Sequence, residues 1–138
     1  MVVFMDTSAL IKRYILEEGT ETVDSYFLSA NDIVISPITS VELHSALRRR
    51  LLDGDMDLDM HKKAVYAYLQ EEASFIELRW DHHFKETAIH LISRNRIRAL
   101  DAIQLTAALS FDLDEFVSAD RRLLETAQKE LKCPCTAV

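Results

Sequence analysis

The sequence predicts an α/β protein: a five-stranded, mostly parallel sheet with helices on both faces. Three observations carry this. Short β-branched or aromatic runs alternate with longer stretches of helical periodicity. The segments between successive runs are long enough for the crossovers that parallel neighbours require. The composition also suits one well-filled core: 138 residues, 49% hydrophobic against 28% charged, with no apolar run near a membrane span's length. Residues 1–138 are therefore read as one domain, and disorder is excluded.

In chain order, the first strand covers residues 2–5, Val-Val-Phe-Met, and stops at Asp6. Asp6-Thr7-Ser8 opens a helix over 8–17, and a second helix covers 21–30. The run Ile-Val-Ile at 33–35 is the second strand. For the helix over 37–52 two starts compete. Thr39-Ser-Val-Glu42 has the spacing of a capping box, whereas Ser36-Pro37 supplies a serine cap and a proline in the first helical position. The second is preferred, which leaves Glu42 inside the helix. Asp53-Gly-Asp-Met-Asp-Leu-Asp59 reads as a solvated turn with Asp57 or Asp59 capping the next helix, 58–72. It fails as a calcium loop, having Leu58 where glycine is needed and Ala64 where a bidentate glutamate is needed. The two helices around that turn form a hairpin free to project from the sheet. A strand at 75–80, helices at 81–94 and 99–111, a strand at 116–118, a helix at 121–131 and a strand at 133–138 complete the order.

Composition narrows the function. The two glycines, Gly19 and Gly54, are far apart, so the clustered glycines of a Walker loop or a dinucleotide fingerprint are absent. A net charge of −7, from 16 basic and 23 acidic side chains, repels a polyanion at long range. Any nucleic-acid chemistry must then rest on local patches or bound cations. Cys133 and Cys135 have no second pair to complete a zinc site and are read as reduced thiols. The opening Met1-Val-Val-Phe-Met-Asp6 reads as a strand rather than a signal peptide, the expectation for a cytoplasmic protein.

Three acids take places that a parallel sheet makes neighbours. Asp6 ends the first strand, Glu42 lies early in the helix after the second, and Asp120 follows the fourth. The edge where those strands end is the one at which open α/β sheets bind ligands. Asp101 returns to the same edge because its helix runs back against the sheet direction. That helix, Ala99-Leu-Asp-Ala-Ile-Gln-Leu-Thr-Ala-Ala-Leu-Ser-Phe111, is apolar on every side, with Asp101 its only ionisable group, and is expected to be buried. Singly, Asp6 and Asp120 read as ordinary helix caps. Jointly, four converging anions must protonate or share a cation. An all-oxygen donor set selects a hard ion, Mg2+ or Mn2+, and that ion suits phosphodiester hydrolysis.

The chain resembles a PIN-domain ribonuclease and, more narrowly, the VapC toxins of VapBC toxin–antitoxin systems. The resemblance lies in Phe4-Met-Asp-Thr-Ser-Ala-Leu-Ile-Lys-Arg13, Ser36-Pro-Ile-Thr-Ser-Val-Glu-Leu-His-Ser-Ala-Leu47, Leu100-Asp-Ala-Ile-Gln-Leu-Thr-Ala-Ala108 and Val117-Ser-Ala-Asp-Arg-Arg-Leu123. It implies a sheet of order 3-2-1-4-5 and a Mg2+- or Mn2+-dependent endoribonuclease. It also implies a homodimer, a VapB-like antitoxin that occludes the acidic site, and a structured RNA substrate, often a tRNA. Asp6, Asp101 and Asp120 would hold metal directly or through water, and Glu42 would bind through water or help activate it. Thr7 and Ser8 would orient the first acid, and Ser118 would donate from behind the site. Many members carry Gly-Leu-Ser ahead of the third acid, where this chain has Arg98-Ala99-Leu100.

Other constellations read as ordinary surface. His83, Glu86 and His90 share a helical face at zinc-compatible spacing but match no hydrolase motif. Of the basic clusters, Arg48–Arg50 reads as a salt-bridging face, with Arg49–Asp53 and Arg13–Glu17 at four-residue spacing. Lys12, Arg13 and Arg121 follow site acids closely and are expected to grip the RNA backbone. Other PIN-fold roles, such as housekeeping RNA processing, and a silent interaction module share this pattern. A phosphoaspartate receiver lacks its paired acids and late lysine, and a phosphotransferase lacks Asp-x-Asp.

Overall fold

Alternation along each strand sorts the apolar residues onto two faces. Val3, Met5, Ile33, Ile35 and Val117 point to one side and Phe4, Val34 and Phe116 to the other. In the computed structural model, which describes residues 1–138, the strands are β1 (Val2–Met5), β2 (Asp32–Ile35), β3 (Ile76–Glu77), β4 (Glu115–Ser118) and β5 (Cys135–Ala137). They form one sheet of order β3-β2-β1-β4-β5 in which every pair is parallel. In register, Phe4 stands opposite Val34 and Phe116. The Phe4 and Phe116 rings stack at 5.3 Å.

Each sheet face buries its own set of helices. Over the first pack α1 (Thr7–Leu10), α2 (Thr20–Ser29), α3 (Thr39–Leu52) and α4 (Leu58–Glu71), through Leu10, Val23, Leu43, Leu47, Ala64 and Tyr68. Over the second pack α5 (His82–Arg94), α6 (Ala99–Leu109) and α7 (Arg121–Glu130), through Phe84, Leu91, Leu105, Leu123 and Ala127. The result is three layers, as expected for a parallel sheet whose both faces need cover. No helix is long and apolar enough to cross a membrane.

Several expected elements are shorter. The helix over 8–17 is instead α1 followed by a 3-10 turn, Ile11–Arg13. The chain leaves helical geometry after Arg13, so Arg13 and Glu17 never share a face and their four-residue pairing does not form. The third strand shrinks to Ile76–Glu77, since an exposed edge strand pairs with a single neighbour. Helix α3 begins at Thr39, not Pro37: Ser36 and Thr39 close a turn in which Ile38 N–H donates to Ser36 Oγ and Ser36 N–H to Thr39 Oγ1. Helix α6 is also less buried than its composition suggests, because Leu100 in its first turn is half exposed.

Arg13 ties the helical layer together. Its guanidinium lies 2.8 Å from both Asp24 on α2 and Glu71 on α4, and 4.5 Å above the Phe27 ring. Tyr14 donates to the same Glu71 carboxylate. Removing one member strands two half-buried carboxylates. Arg13→Ala should therefore cost about 2 kcal/mol in urea unfolding. RNA affinity lost with stability unchanged would instead restore the RNA-gripping role expected for this residue.

Candidate functional site

The parallel sheet delivers three strand ends to one edge, and the helix starts beside them supply the acids. Asp6 follows β1 and caps α1, accepting from Ala9 N–H at 2.9 Å. Asp120 follows β4 and caps α7, accepting from the N–H groups of Arg122 and Leu123. Asp101 sits in the first turn of α6 and Glu42 in the first turn of α3. All four line one cavity of about 460 Å³ at that edge, together with Thr7, Ser8 and Lys12.

The arrangement is cross-linked by short hydrogen bonds. Ser8 Oγ donates to the Asp6 carboxylate at 2.8–2.9 Å, and buried Ser118 Oγ donates to Asp6 Oδ2 at 2.9 Å. Both hydroxyls accept in turn, Ser8 from Ala119 N–H and Ser118 from Asp120 N–H, which fixes the loop carrying Asp120 against the loop carrying Asp6. Glu42 does not reach back to cap its helix. Its Oε2 accepts from Thr7 Oγ1 at 2.7 Å and from Gln104 Nε2 at 2.6 Å.

Gln104 was missed in the sequence, where it reads as one polar residue on an apolar helix. The available signal was its place one turn after Asp101 on the same face. It is nearly fully buried, joins Thr7 and Glu42 through its amide nitrogen, and leaves Oε1 buried with no hydrogen-bond partner.

The electrostatics follow from burial among like charges. Asp6, 4% exposed, has its proton affinity pushed up to about pKa 6 by desolvation. The bonds from Ala9, Ser8 and Ser118 oppose that rise, and the charge of Asp120 adds to it. Burial raises Asp101 above the usual carboxylate range, with Asp120 and Glu42 adding repulsion and Arg98 opposing it. The acids thus act on one another across the cavity. No three His, Cys, Asp or Glu side chains form a closed ligand cage. The acidic donors lining the cavity are all carboxylate oxygens.

The expected RNA contacts fare unevenly. Lys12 lines the cavity but is held by Glu17 and the Glu18 carbonyl. Arg13 does not line it, because Asp24 and Glu71 consume its guanidinium. Arg121 is exposed beside Asp120 and lies outside the cavity wall. Arg49 and Arg50 do line the cavity; Arg50 pairs with Glu17, and the expected Arg49–Asp53 pair does not form. Elsewhere, Asp57 caps α4 as expected, and both cysteines are free. His83, Glu86 and His90 are exposed, with Glu86 paired to His82.

The model of the PIN domain matches residues 3–129, a span that takes in all four acids. The chain belongs to the PIN domain family. No curated protein matches the sequence significantly. Among solved structures, this PIN domain is similar to Mycobacterium tuberculosis VapC20, described as a sarcin-ricin loop cleaving toxin. The TM-score is 0.68 at 16% identity, over 88% of this chain and 92% of the other. It is similar also to VapBC2 from Rickettsia felis, solved bound to a DNA fragment from their promoter, with a TM-score of 0.69 at 11% identity over 100% and 99% of the chains. At such identities the likeness is one of fold.

Burial of Asp6 has a measurable consequence. Folding raises its proton affinity, so its contribution to stability is fully present below about pH 4 and is lost as pH rises through 6. At pH 7.5 the buried charge then costs on the order of 3 kcal/mol in metal-free protein. Asp6→Asn, which preserves the cap, should raise Tm by several degrees in EDTA at pH 7.5 and by little at pH 4. A variant less stable than the parent at both pH values would contradict this.

Proposed function

We propose that this chain is a Mg2+- or Mn2+-dependent endoribonuclease that hydrolyses RNA phosphodiester bonds, acting in the cytoplasm as the toxin of a type II toxin–antitoxin pair. The observation that carries the reading is the convergence of Asp6, Glu42, Asp101 and Asp120 on one cavity in a PIN domain. Asp6, Asp101 and Asp120 are assigned to hold the cation directly or through water, and Glu42 through water. A divalent ion bound there supplies charge to offset the scissile phosphate and lowers the pKa of a water for attack.

The chain's own residues do the rest. Ser8 and Ser118 hold the Asp6 carboxylate in one orientation, so its oxygens do not swing away from a ligand. Thr7 and Gln104 fix Glu42 with one oxygen occupied and the other free to accept a proton from water.

The fold-level likeness to VapC20 and VapBC2 supports a structured RNA as substrate, such as a tRNA or a ribosomal loop. The likeness to VapBC2 also supports a VapB-like antitoxin as partner; a homodimer is proposed from the resemblance of the sequence to VapC toxins. On this reading, purified protein with Mg2+ or Mn2+ cuts RNA internally, and EDTA abolishes the cutting. Asp101→Asn should fold and lose at least about a hundredfold in rate, the scale of a lost charge-stabilising group. Undiminished cleavage in EDTA or by Asp101→Asn would refute the mechanism.

A further inference from the structure

A polyanionic substrate must approach four carboxylates on a protein of net charge −7. Some positive surface has to carry it there, and two groups of cations border the cavity. On one side stand Lys12, Arg49 and Arg50, of which Lys12 and Arg50 are both bound to Glu17, at 3.5 and 2.8 Å. One carboxylate thus holds two of the three cations there, and Arg49 alone is left without an ion pair.

The other side differs. A depression of about 260 Å³ shares Asp101 with the acidic cavity and is otherwise lined by Arg96, Ile97, Arg98 and Arg122. Arg96 and Arg122 also line a further depression of about 560 Å³ that contains Lys129 and no hydrophobic residue. Arg96, Arg98, Arg122 and Lys129 are all exposed, and none of them makes an ion pair; the nearby Glu130 is taken by Arg94. The single acid lining these depressions beyond Asp101 is Glu125.

The placement follows from the fold. Arg98 is the N-cap residue of α6, three positions before Asp101, and Arg122 follows Asp120 by two, its N–H donating to that carboxylate. The two helix starts that present site acids also present free guanidinium groups to one side of them. Arginine forks match phosphate oxygens in pairs, which suits a sugar-phosphate chain better than a lone ion.

We propose that Arg98, Arg96 and Arg122, with Lys129 beyond them, form the track along which the RNA backbone runs into the acidic cavity. This deepens the nuclease reading and rests on it. Arg13 and Lys12 are thereby replaced as the main backbone contacts.

The test is fluorescence anisotropy of a labelled 20-nucleotide mixed-sequence RNA in EDTA, so that no strand is cut, across a NaCl series. Three neutralised phosphate contacts should change the slope of log K against log[NaCl] by about 2. The variant Arg96→Ala/Arg98→Ala/Arg122→Ala should show that change and bind at least about tenfold more weakly at 50 mM NaCl. The control Arg48→Ala/Lys62→Ala/Lys85→Ala removes as much charge from positions that line none of these depressions and should lose far less. Circular dichroism melting confirms that both fold. Equal affinity and slope in the triple variant and the parent, an equal loss in the control, or a parent that binds no RNA overturns the track. A parent that binds through the track but cuts nothing with Mn2+ overturns the nuclease reading alone. A parent that cuts while the triple variant binds normally overturns the track alone.

Discussion

Everything at the functional edge depends on crowding negative charge where burial makes it costly. A parallel sheet sends the C-terminal ends of its central strands to one place, and the chain puts Asp6 after β1 and Asp120 after β4. Water is largely excluded from Asp6. The protein answers with hydroxyls and backbone N–H groups that stabilise the carboxylate, yet its proton affinity still rises. Hydrogen bonds alone do not offset the cost of burying the charge, to which Asp120 adds repulsion. A cation would.

The same residues serve the fold and the site, and there is no conflict between the roles. Asp6 and Asp120 satisfy N–H groups that their helices leave open, with one carboxylate face turned inward. The cap fixes the side chain's position, and the fixed position is what a ligand needs. Glu42 divides differently. It is freed from capping because α3 starts at Thr39, and Thr7 and Gln104 recruit it to the cavity instead.

The parallel sheet was legible in the sequence because β-branched runs are separated by crossover-length segments, whereas its order was available only through the resemblance to PIN domains. The four acids were legible from topology: Asp6 and Asp120 follow strands that end at one edge, Glu42 lies early in the helix after another, and Asp101 starts a helix that runs back against the sheet. What escaped was set by contacts between distant segments. Gln104 gains meaning from Thr7 and Glu42, 97 and 62 residues away along the chain. Arg13 was assigned to the substrate because it follows Asp6 closely, but the 3-10 turn rotates it toward α2 and α4. The short β3 and the late start of α3 likewise follow from edge pairing and a local turn that periodicity does not report.

Charge on this molecule is thus sorted rather than spread: carboxylates in a cavity, Lys12 and Arg50 held by Glu17 on one side, and a group of unpaired arginines on the other. The central claim is that the cavity is built for a divalent cation. Isothermal titration of Mn2+ into metal-free protein at pH 7.5, with Asp6→Asn/Asp120→Asn beside it, tests this most directly. The account predicts saturable binding to the parent, a Tm that climbs with Mn2+ concentration, and neither effect in the double variant. No binding to the parent, or equal binding to both proteins, would contradict it.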